Sequence, residues 1–183
     1  NFKKNVIVAT TNCSLDKKIV NFCRNKKVRF FTGSNKNVFL RTQECIKKFN
    51  IKYLVRICAD RPLFDVNLMV NMIKLILKND YDIITNVYPR TYPKGLTCEV
   101  AKSKIFTQIN QKTLTQKQKE HIFNYFYKSK KYRILNLEKR FEKTFLKKNF
   151  CIDHLKDISR VQNILKILDK KNLKINTHNI SKI

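Results

Sequence analysis

The sequence predicts an α/β fold of three layers, in which a mainly parallel mixed sheet lies between helices on both faces. Short apolar runs rich in β-branched and aromatic residues alternate with longer segments whose apolar residues recur every three or four positions. Strands and helices that alternate about every 20 to 30 residues are typical of parallel β-α-β units. The 183 residues contain no linker, internal repeat or low-complexity block, so the chain is interpreted as one domain spanning residues 1–183.

The first half of the chain is its most regular part. Each strand-like run ends at a turn or helix-cap signal, such as Thr11-Asn12 or Gly33-Ser34, and an amphipathic helical pattern follows it. In chain order the predicted pairs are strand 6–10 with helix 16–26, strand 28–31 with helix 37–49, and strand 53–58 with helix 65–77.

The second half is less regular. A short apolar strand at 82–85 ends at Asn86, and two prolines and a glycine make residues 89–95 irregular. By the same patterns, extended segments are predicted at 96–100, 132–137 and 145–152, helices at 102–111, 115–129 and 157–168, and a weak strand or tail at 173–183.

The chain is strongly basic, with 40 Lys and Arg against 13 Asp and Glu and a formal net charge of +27. Such a charge is typical of proteins that bind nucleic acid. Most of these cations are lysines spread along the whole chain among many Asn and Ile residues, which is the composition that an A+T-rich genome produces. Nucleic-acid binding is therefore the weaker alternative, although the charge still attracts anionic substrates at low salt.

The six cysteines show neither a CxxC motif nor the spacing of a zinc site. The sequence contains no apolar span of membrane-crossing length and no signal-peptide pattern. Free thiols without a secretion signal indicate a reducing compartment. We therefore predict a cytoplasmic protein without a membrane partner.

Two aspartates are the main candidates for chemistry. Asp60 follows the apolar run 53–58, and Asp153 follows the run 150–152. Strands that stop on a carboxylate deliver it to the carboxyl edge of an open sheet, where α/β folds bind ligands. Two such carboxylates, together with phosphate oxygens, are suitable ligands for Mg²⁺. The small side chain of Ala59 leaves room for a ligand beside Asp60.

Each aspartate also has a structural interpretation. Asp60 is well placed to cap the turn before helix 65–77. Asp153 is an acidic residue close to the start of helix 157–168, where the helix dipole favours negative charge. The sequence alone leaves both interpretations open.

Three residues after the second strand are candidates for ligand contact. Gly33 and Ser34 would present backbone N–H groups and a hydroxyl, and Arg41 lies about two helical turns further on, within reach of the same loop. The alternatives are an ordinary turn and a solvated helix face.

A second group of polar residues lies further along the chain. Asn86, Arg90 and Tyr92 belong to an irregular loop that follows a strand, and an arginine there suits a substrate carboxylate. Glu120 and His121 lie in an otherwise apolar helical pattern. The alternatives are a proline-rich connection and a structural histidine.

Taken in order, these segments resemble a known family, the cytidylyltransferases of the spore-coat polysaccharide type. These are relatives of the CMP-sialate and CMP-3-deoxy-manno-octulosonate synthetases. The matching segments are Val8-Ala9-Thr10-Thr11-Asn12, Thr32-Gly33-Ser34 with Val38 and Arg41, Arg56-Ile57-Cys58-Ala59-Asp60-Arg61-Pro62-Leu63, Asn86 with Pro89-Arg90-Thr91-Tyr92-Pro93-Lys94-Gly95-Leu96 and Glu99-Val100, Glu120-His121 and Ile152-Asp153.

The resemblance implies a Rossmann-like fold of the glycosyltransferase-A type and a nucleotidyltransferase that joins CTP and an acidic sugar into a CMP-sugar and pyrophosphate. It also implies pairing as a homodimer. By this resemblance Asp60 and Asp153 are the Mg²⁺ ligands, and these two together with Arg90 are the catalytic residues. The implied nucleotide contacts are Gly33, Ser34, Arg41 and Ala59. The implied sugar contacts are Asn86, Arg90, Tyr92, Glu120 and His121.

The chain departs from the family pattern at several points. It begins at what would be the family's second strand, so we expect a fragment without the first strand and its nucleotide-binding loop. Arg61 follows the first aspartate, and His154-Leu155-Lys156 stands where the family has Thr-Pro-Glu. We therefore expect weak or absent CTP turnover. A preference for UTP and a non-catalytic scaffold of the same fold stay open as alternatives.

Overall fold

The computed structural model describes residues 3–183. The chain divides into two compact units. The first unit comprises Asn1–Lys52 and Ser103–Lys131, and the second comprises Tyr53–Lys102 and Tyr132–Ile183. The interpretation of residues 1–183 as one domain stays a prediction.

Both units mix strands and helices, as the sequence predicts. The strands are β1 (Ile7–Thr11), β2 (Arg29–Gly33), β3 (Tyr53–Arg56), β4 (Ile83–Thr85), β5 (Glu99–Lys102) and β6 (Ile134–Asn136). The helices are α1 (Lys17–Asn25), α2 (Val38–Phe49), α3 (Val66–Lys78), α4 (Lys104–Thr107), α5 (Gln116–Glu120), α6 (Asn124–Tyr127), α7 (Lys143–Leu146), α8 (Leu155–Lys170) and α9 (Thr177–Ile180). No helix formed by residues 3–183 is long and apolar enough to cross a membrane.

The first unit contains a parallel pair of strands, β1 and β2, in a register that sets Thr11 opposite Gly33. Its core is aromatic. The ring centroid of the buried Phe39 in α2 lies 5.5 Å from the ring centroid of Phe106 in α4. The ring centroid of Phe106 lies 4.7 Å from that of Phe126 in α6. The segment around α4 is tied to α2 by the buried Gln43, whose Nε2 donates to the carbonyl of Phe106 at 2.7 Å.

The second unit contains a four-stranded sheet in the order β3-β5-β4-β6. Strand β5 is antiparallel to both of its neighbours, and β4 is parallel to β6. Three of the four strands therefore run in one direction, which confirms the prediction of a mainly parallel mixed sheet. Residues 86–98 form turns instead of a crossover helix, so the chain returns beside β4 in the opposite direction.

Two apolar clusters support this sheet and its loops. In the first, α3 packs on the sheet through Met69, Met72, Ile76, Ile84, Cys98 and Val100. In the second, α8 packs on the loop segments through Leu63, Leu96, Phe145, Phe150, Val161, Leu168 and Ile180. The second cluster fixes the residues immediately before Asp153, because Phe150 belongs to it.

Three predicted elements differ in the structure, and in each of them apolar residues are buried by a turn or a short helix. The helix predicted at 115–129 is two short helices, because His121 leaves the helical conformation (φ −102°, ψ 84°) and the chain turns to bury Ile122, Phe123 and Phe126. The strand predicted at 145–152 is wrong. Residues 145 and 146 belong to helix α7, and the segment after them is irregular apart from a single β-bridge between Asn149 and Lys94. The tail predicted at 173–183 contains helix α9, which buries Ile180.

Candidate active site

The loops that carry Asp60 and Asp153 are joined by a backbone hydrogen bond in the second unit. The N–H of Ile152 donates to the carbonyl of Asp60 at 2.8 Å. Asp60 lies in the turn after β3, and Asn86 follows β4, which runs in the same direction. These residues therefore lie at the carboxyl edge of the sheet. The two acids, far apart along the chain, belong to adjacent backbone segments.

The carboxylate of Asp153 has two donors. Its Oδ2 lies 2.8 Å from Nζ of Lys94 and accepts a second hydrogen bond from Nδ2 of Asn149 at 3.1 Å. These contacts hold the pKa of Asp153 below its ordinary value, with the hydrogen bond from Lys94 as the largest cause. The same hydrogen bond raises the pKa of Lys94, and the charge of Asp60 adds to it.

The carboxylate of Asp60 is less well satisfied. Its Oδ1 lies 4.0 Å from Nε of Arg61, too far for a hydrogen bond, and both of these buried atoms have no hydrogen-bond partner. Arg61 is held elsewhere, because its Nη1 donates to Oγ1 of Thr97 at 2.9 Å. Burial, and then the charge of Asp60, raise the pKa of the Cys151 thiol to about 11.

Gly95 allows the loop that carries Lys94 to lie against the segment before Asp153. The φ of Gly95 is +93°, a conformation that other residues rarely adopt. A Cβ at this position would lie 2.5 Å from the carbonyl carbon of Phe150 and 2.8 Å from the backbone nitrogen of Cys151. The N–H of Phe150 donates to the carbonyl of Lys94 at 2.8 Å. This close approach positions Lys94 beside Asp153.

A third carboxylate, Asp157 in the first turn of α8, fixes the backbone at Asp153. Its Oδ2 accepts hydrogen bonds from the N–H groups of Asp153 at 3.0 Å and of His154 at 2.8 Å. Its Oδ1 pairs with Arg160 at 2.8 Å, and Arg160 also donates to the carbonyl of Cys151. Asp157 was not among the predicted site residues, although an acidic residue in the first turn of a helix is a recognisable capping signal.

The predicted sugar contacts of the second unit differ in exposure. Asn86 is fully buried, and its Oδ1 accepts the N–H of Cys98 at 2.8 Å, while its Nδ2 has no partner. Tyr92 is buried with its ring edge-on to Phe141 at 5.1 Å, and burial raises the pKa of its hydroxyl. Arg90 is exposed, in a turn closed by the N–H of Thr91 and the carbonyl of Asn86 at 3.1 Å.

The predicted nucleotide contacts Gly33, Ser34 and Arg41 lie together in the first unit. Gly33 ends β2, and Nη1 of Arg41 donates to the carbonyl of Ser34 at 2.7 Å. The Ser34 hydroxyl accepts the N–H of Asn37 at 3.1 Å, at the start of α2. The fourth predicted contact, Ala59, is an exposed residue of the second unit, in the turn beside Asp60.

Glu120 and His121 are exposed at the end of α5. They belong to the first unit, whereas the other three predicted sugar contacts belong to the second. His121 is the residue at which the predicted helix 115–129 is interrupted.

Asp16, which follows β1 in the first unit, is a second carboxylate that no sequence pattern singled out. Its Oδ2 accepts hydrogen bonds from Oγ1 of Thr10 at 2.7 Å, from the N–H of Thr11 at 2.9 Å and from Oγ1 of Thr11 at 2.6 Å. These hydrogen bonds lower the pKa of Asp16 to about 2, and the bond from Thr10 is the largest cause. The only signal in the sequence was a lone aspartate five residues after a Thr-Thr pair, and such a pattern is not specific.

The aspartate pair, Asp60 with Asp153, is chemically suited to Mg²⁺. Carboxylate oxygens are the hard ligands that this ion prefers, and one or two of them suffice when phosphates and water complete the shell. Oδ1 of Asp60 is buried and has no hydrogen-bond partner, so this oxygen keeps its capacity to coordinate a cation. Within residues 3–183 no group of three or more His, Cys, Asp or Glu side chains is arranged to hold a metal by itself. The pair therefore fits an ion that arrives with a ligand.

Comparison with known proteins identifies the family. The family model for cytidylyltransferases matches residues 1–179. An uncharacterised protein of Methanocaldococcus jannaschii is 28% identical over 174 residues, which cover 93% of this chain and 69% of that protein. A solved structure of a cytidylyltransferase from Leptospira borgpetersenii serovar Hardjo-bovis matches with a TM-score of 0.78 at 22% identity, over 97% of this chain and 81% of that one. The structural match confirms the predicted Rossmann-like fold, and the family match shows that the chain belongs to the cytidylyltransferases, a family of nucleotidyltransferases.

Proposed function

We propose that the protein transfers the cytidylyl group of CTP to an acidic sugar, yielding a CMP-sugar and pyrophosphate for the synthesis of a surface polysaccharide. The main support is the hydrogen bond between Ile152 and Asp60, which joins the loops carrying Asp60 and Asp153 at the carboxyl edge of the sheet. Family membership supports the nucleotidyl transfer, and the two carboxylates support its location in the second unit.

In this reaction a hydroxyl oxygen of the sugar forms a bond to the α-phosphorus, and the bond from that phosphorus to the pyrophosphate oxygen breaks. Positioning and electrostatic stabilisation account for most of the catalysis in such transfers. Asp60 and Asp153 would hold Mg²⁺, which when bound supplies positive charge at the phosphate oxygens. Asp157 keeps the backbone of Asp153 in place through its two hydrogen bonds.

Arg90 is the reason for proposing an acidic sugar as the substrate. This side chain is exposed at the carboxyl edge of the sheet, in a turn closed by the Asn86 carbonyl. A guanidinium offers a carboxylate two parallel N–H donors. We assign Arg90 to the sugar carboxylate, whereas the buried Asn86 and Tyr92 keep the loop in its conformation.

The remaining predicted contacts are proposed on the resemblance alone. They are Gly33, Ser34, Arg41 and Ala59 for the nucleotide, and Glu120 and His121 for the sugar. All six cysteines are free thiols, which supports a reducing compartment such as the cytoplasm. The homodimer stays a prediction.

Titration calorimetry tests the nucleotide and metal part of this proposal. We expect CTP to bind in the presence of Mg²⁺, and Asp60→Asn to weaken that binding at least about tenfold, because one of two anionic ligands is lost. Asp169→Asn is the matched control, since it changes an exposed aspartate of the same unit. Equal affinities of the wild type and Asp60→Asn would refute the site.

Parallel titrations separate the alternatives. Tighter binding of UTP than of CTP would show that the site prefers uracil to cytosine. A steep, salt-dependent affinity for DNA or RNA without a response to CTP would favour nucleic-acid binding.

Release of pyrophosphate tests the sugar part. With CTP present, we expect release with acidic sugars and little with neutral ones, and Arg90→Gln should raise the KM for the acidic sugar. CTP binding without any release, across a panel of acidic sugars, would indicate a non-catalytic scaffold.

A further inference from the structure

The cation beside Asp153 is part of the protein. Nζ of Lys94 and Nδ2 of Asn149 both donate to Oδ2 of Asp153. The Lys94 side chain is 52% exposed and that of Asp153 is 36% exposed. Ions and phosphates from solution can therefore reach both partners of this ion pair.

The position of Lys94 is set by its backbone. Its carbonyl accepts the N–H of Phe150 at 2.8 Å, and it forms a parallel β-bridge with Asn149. The next residue, Gly95, lies so close to Phe150 that a Cβ would overlap backbone atoms. The ammonium group of Lys94 therefore stays within reach of Asp153 although its side chain is half in solvent.

The charges around the aspartate pair already balance. Asp60 and Asp153 contribute two negative charges, and Arg61 and Lys94, their partners in ion pairs, contribute two positive charges. A free divalent ion approaching Asp153 meets the ammonium of Lys94, which already contacts Oδ2 of this carboxylate, and like charges at this range repel. A nucleoside triphosphate changes this balance, because its oxygens offer Lys94 a new anionic partner.

We propose that Lys94 competes with the divalent ion for Asp153. It occupies the carboxylate in the absence of nucleotide, keeps the affinity for free metal low, and releases Asp153 when triphosphate oxygens bind its ammonium group. The metal then enters together with the nucleotide. This inference rests on the proposed metal site at Asp60 and Asp153, and it names the residue that controls that site.

Binding of Mn²⁺, measured by loss of the free-ion signal in electron paramagnetic resonance, tests this proposal without any need for activity. Lys94→Met should bind Mn²⁺ about tenfold more tightly than the wild type, which corresponds to about 1.4 kcal/mol. Lys94→Arg keeps the charge and should show no gain. Lys102→Met is the matched control, because it removes a lysine of the same unit that pairs with Asp80 at 2.6 Å.

Addition of CTP gives a second readout. CTP should strengthen Mn²⁺ binding to the wild type more than to Lys94→Met, since only the wild type must first release Asp153. The double variant Lys94→Met with Asp153→Asn should lose the gain, which assigns it to that carboxylate.

The outcomes separate this inference from the proposed function. Unchanged Mn²⁺ affinity in Lys94→Met, together with a loss in Asp153→Asn, would overturn the role of Lys94 and leave the metal site standing. An equal gain in Lys102→Met would reduce the effect to net charge and would also overturn it. Failure of every variant to bind Mn²⁺, with or without CTP, would remove the metal site itself.

Discussion

Replacement of Gly95 by alanine tests the close approach that sets Lys94 beside Asp153. Gly95 has a φ of +93°, and an added Cβ would lie 2.5 Å from the carbonyl carbon of Phe150. That atom is backbone, in a residue whose N–H donates to the Lys94 carbonyl. It cannot rotate aside as a flexible side chain does, so the two segments must separate.

Two effects determine the size of the loss. A residue other than glycine held at positive φ costs about 1–2 kcal/mol, and overpacking a tightly packed site costs about 1–3 kcal/mol. We expect Gly95→Ala to lower the free energy of unfolding by about 3 kcal/mol. Separation of the segments also weakens the hydrogen bond from Phe150 to Lys94, so the amide hydrogen of Phe150 should exchange faster.

Gly33→Ala is the matched control. The contacts of a Cβ at Gly33 are with side-chain atoms, Cε1 of Phe31 at 2.8 Å and Cγ of Arg41 at 3.0 Å. These are side-chain atoms, and Gly33 does not have the positive φ that Gly95 has, so we expect a smaller loss of about 1–2 kcal/mol. Urea unfolding followed by circular dichroism measures both variants. Equal losses for the two, or an unchanged exchange rate at Phe150, would refute the reasoning.

Three further predictions concern the supports of the fold and the site. Asp16→Asn should destabilise the protein at pH 7, and its deficit should shrink as the pH falls from about 4 to about 2. The reason is that the native pKa is about 2 against an ordinary 3.8, so acid removes this stabilisation from the wild type alone; urea unfolding across this pH range measures it. Phe126→Ala should cost about 3–5 kcal/mol in urea unfolding, because its ring is fully buried; a wild-type midpoint would contradict this. Asp157→Ala should speed amide exchange at Asp153, which Asp169→Ala should leave unchanged.

Helix starts were predictable because their signals are local. The predicted helices 37–49 and 65–77 begin where Asn37 and Asp65 cap α2 and α3, each side chain accepting the N–H three residues on, at 2.9 and 3.0 Å. Such bonds join residues within one turn, so the sequence contains both partners side by side. The same Asp65 also accepts the N–H of Thr177, 112 positions away, which no local pattern predicts.

Strand direction and helix breaks were less predictable because they depend on the surroundings. Strand β5 consists of Glu99, Val100, Ala101 and Lys102, and this composition does not indicate a direction. The connection at 86–98 contains no helix, and it returns the chain antiparallel to β4. The break at His121 likewise follows from burial of Ile122, Phe123 and Phe126 in the aromatic core. The periodicity of a sequence shows which residues are apolar, but it does not show which helix or strand they pack against.

For the candidate site, the sequence by itself determined which residues end the apolar runs, namely Asp60 and Asp153, and that these are carboxylates suited to a divalent ion. Only the tertiary structure decided which residues lie next to these two carboxylates. It joins Ile152 to Asp60 and pairs Asp153 with Lys94, 59 positions earlier in the chain. Side-chain chemistry is a property of each residue alone, whereas a charge pair depends on the packing that brings distant segments together.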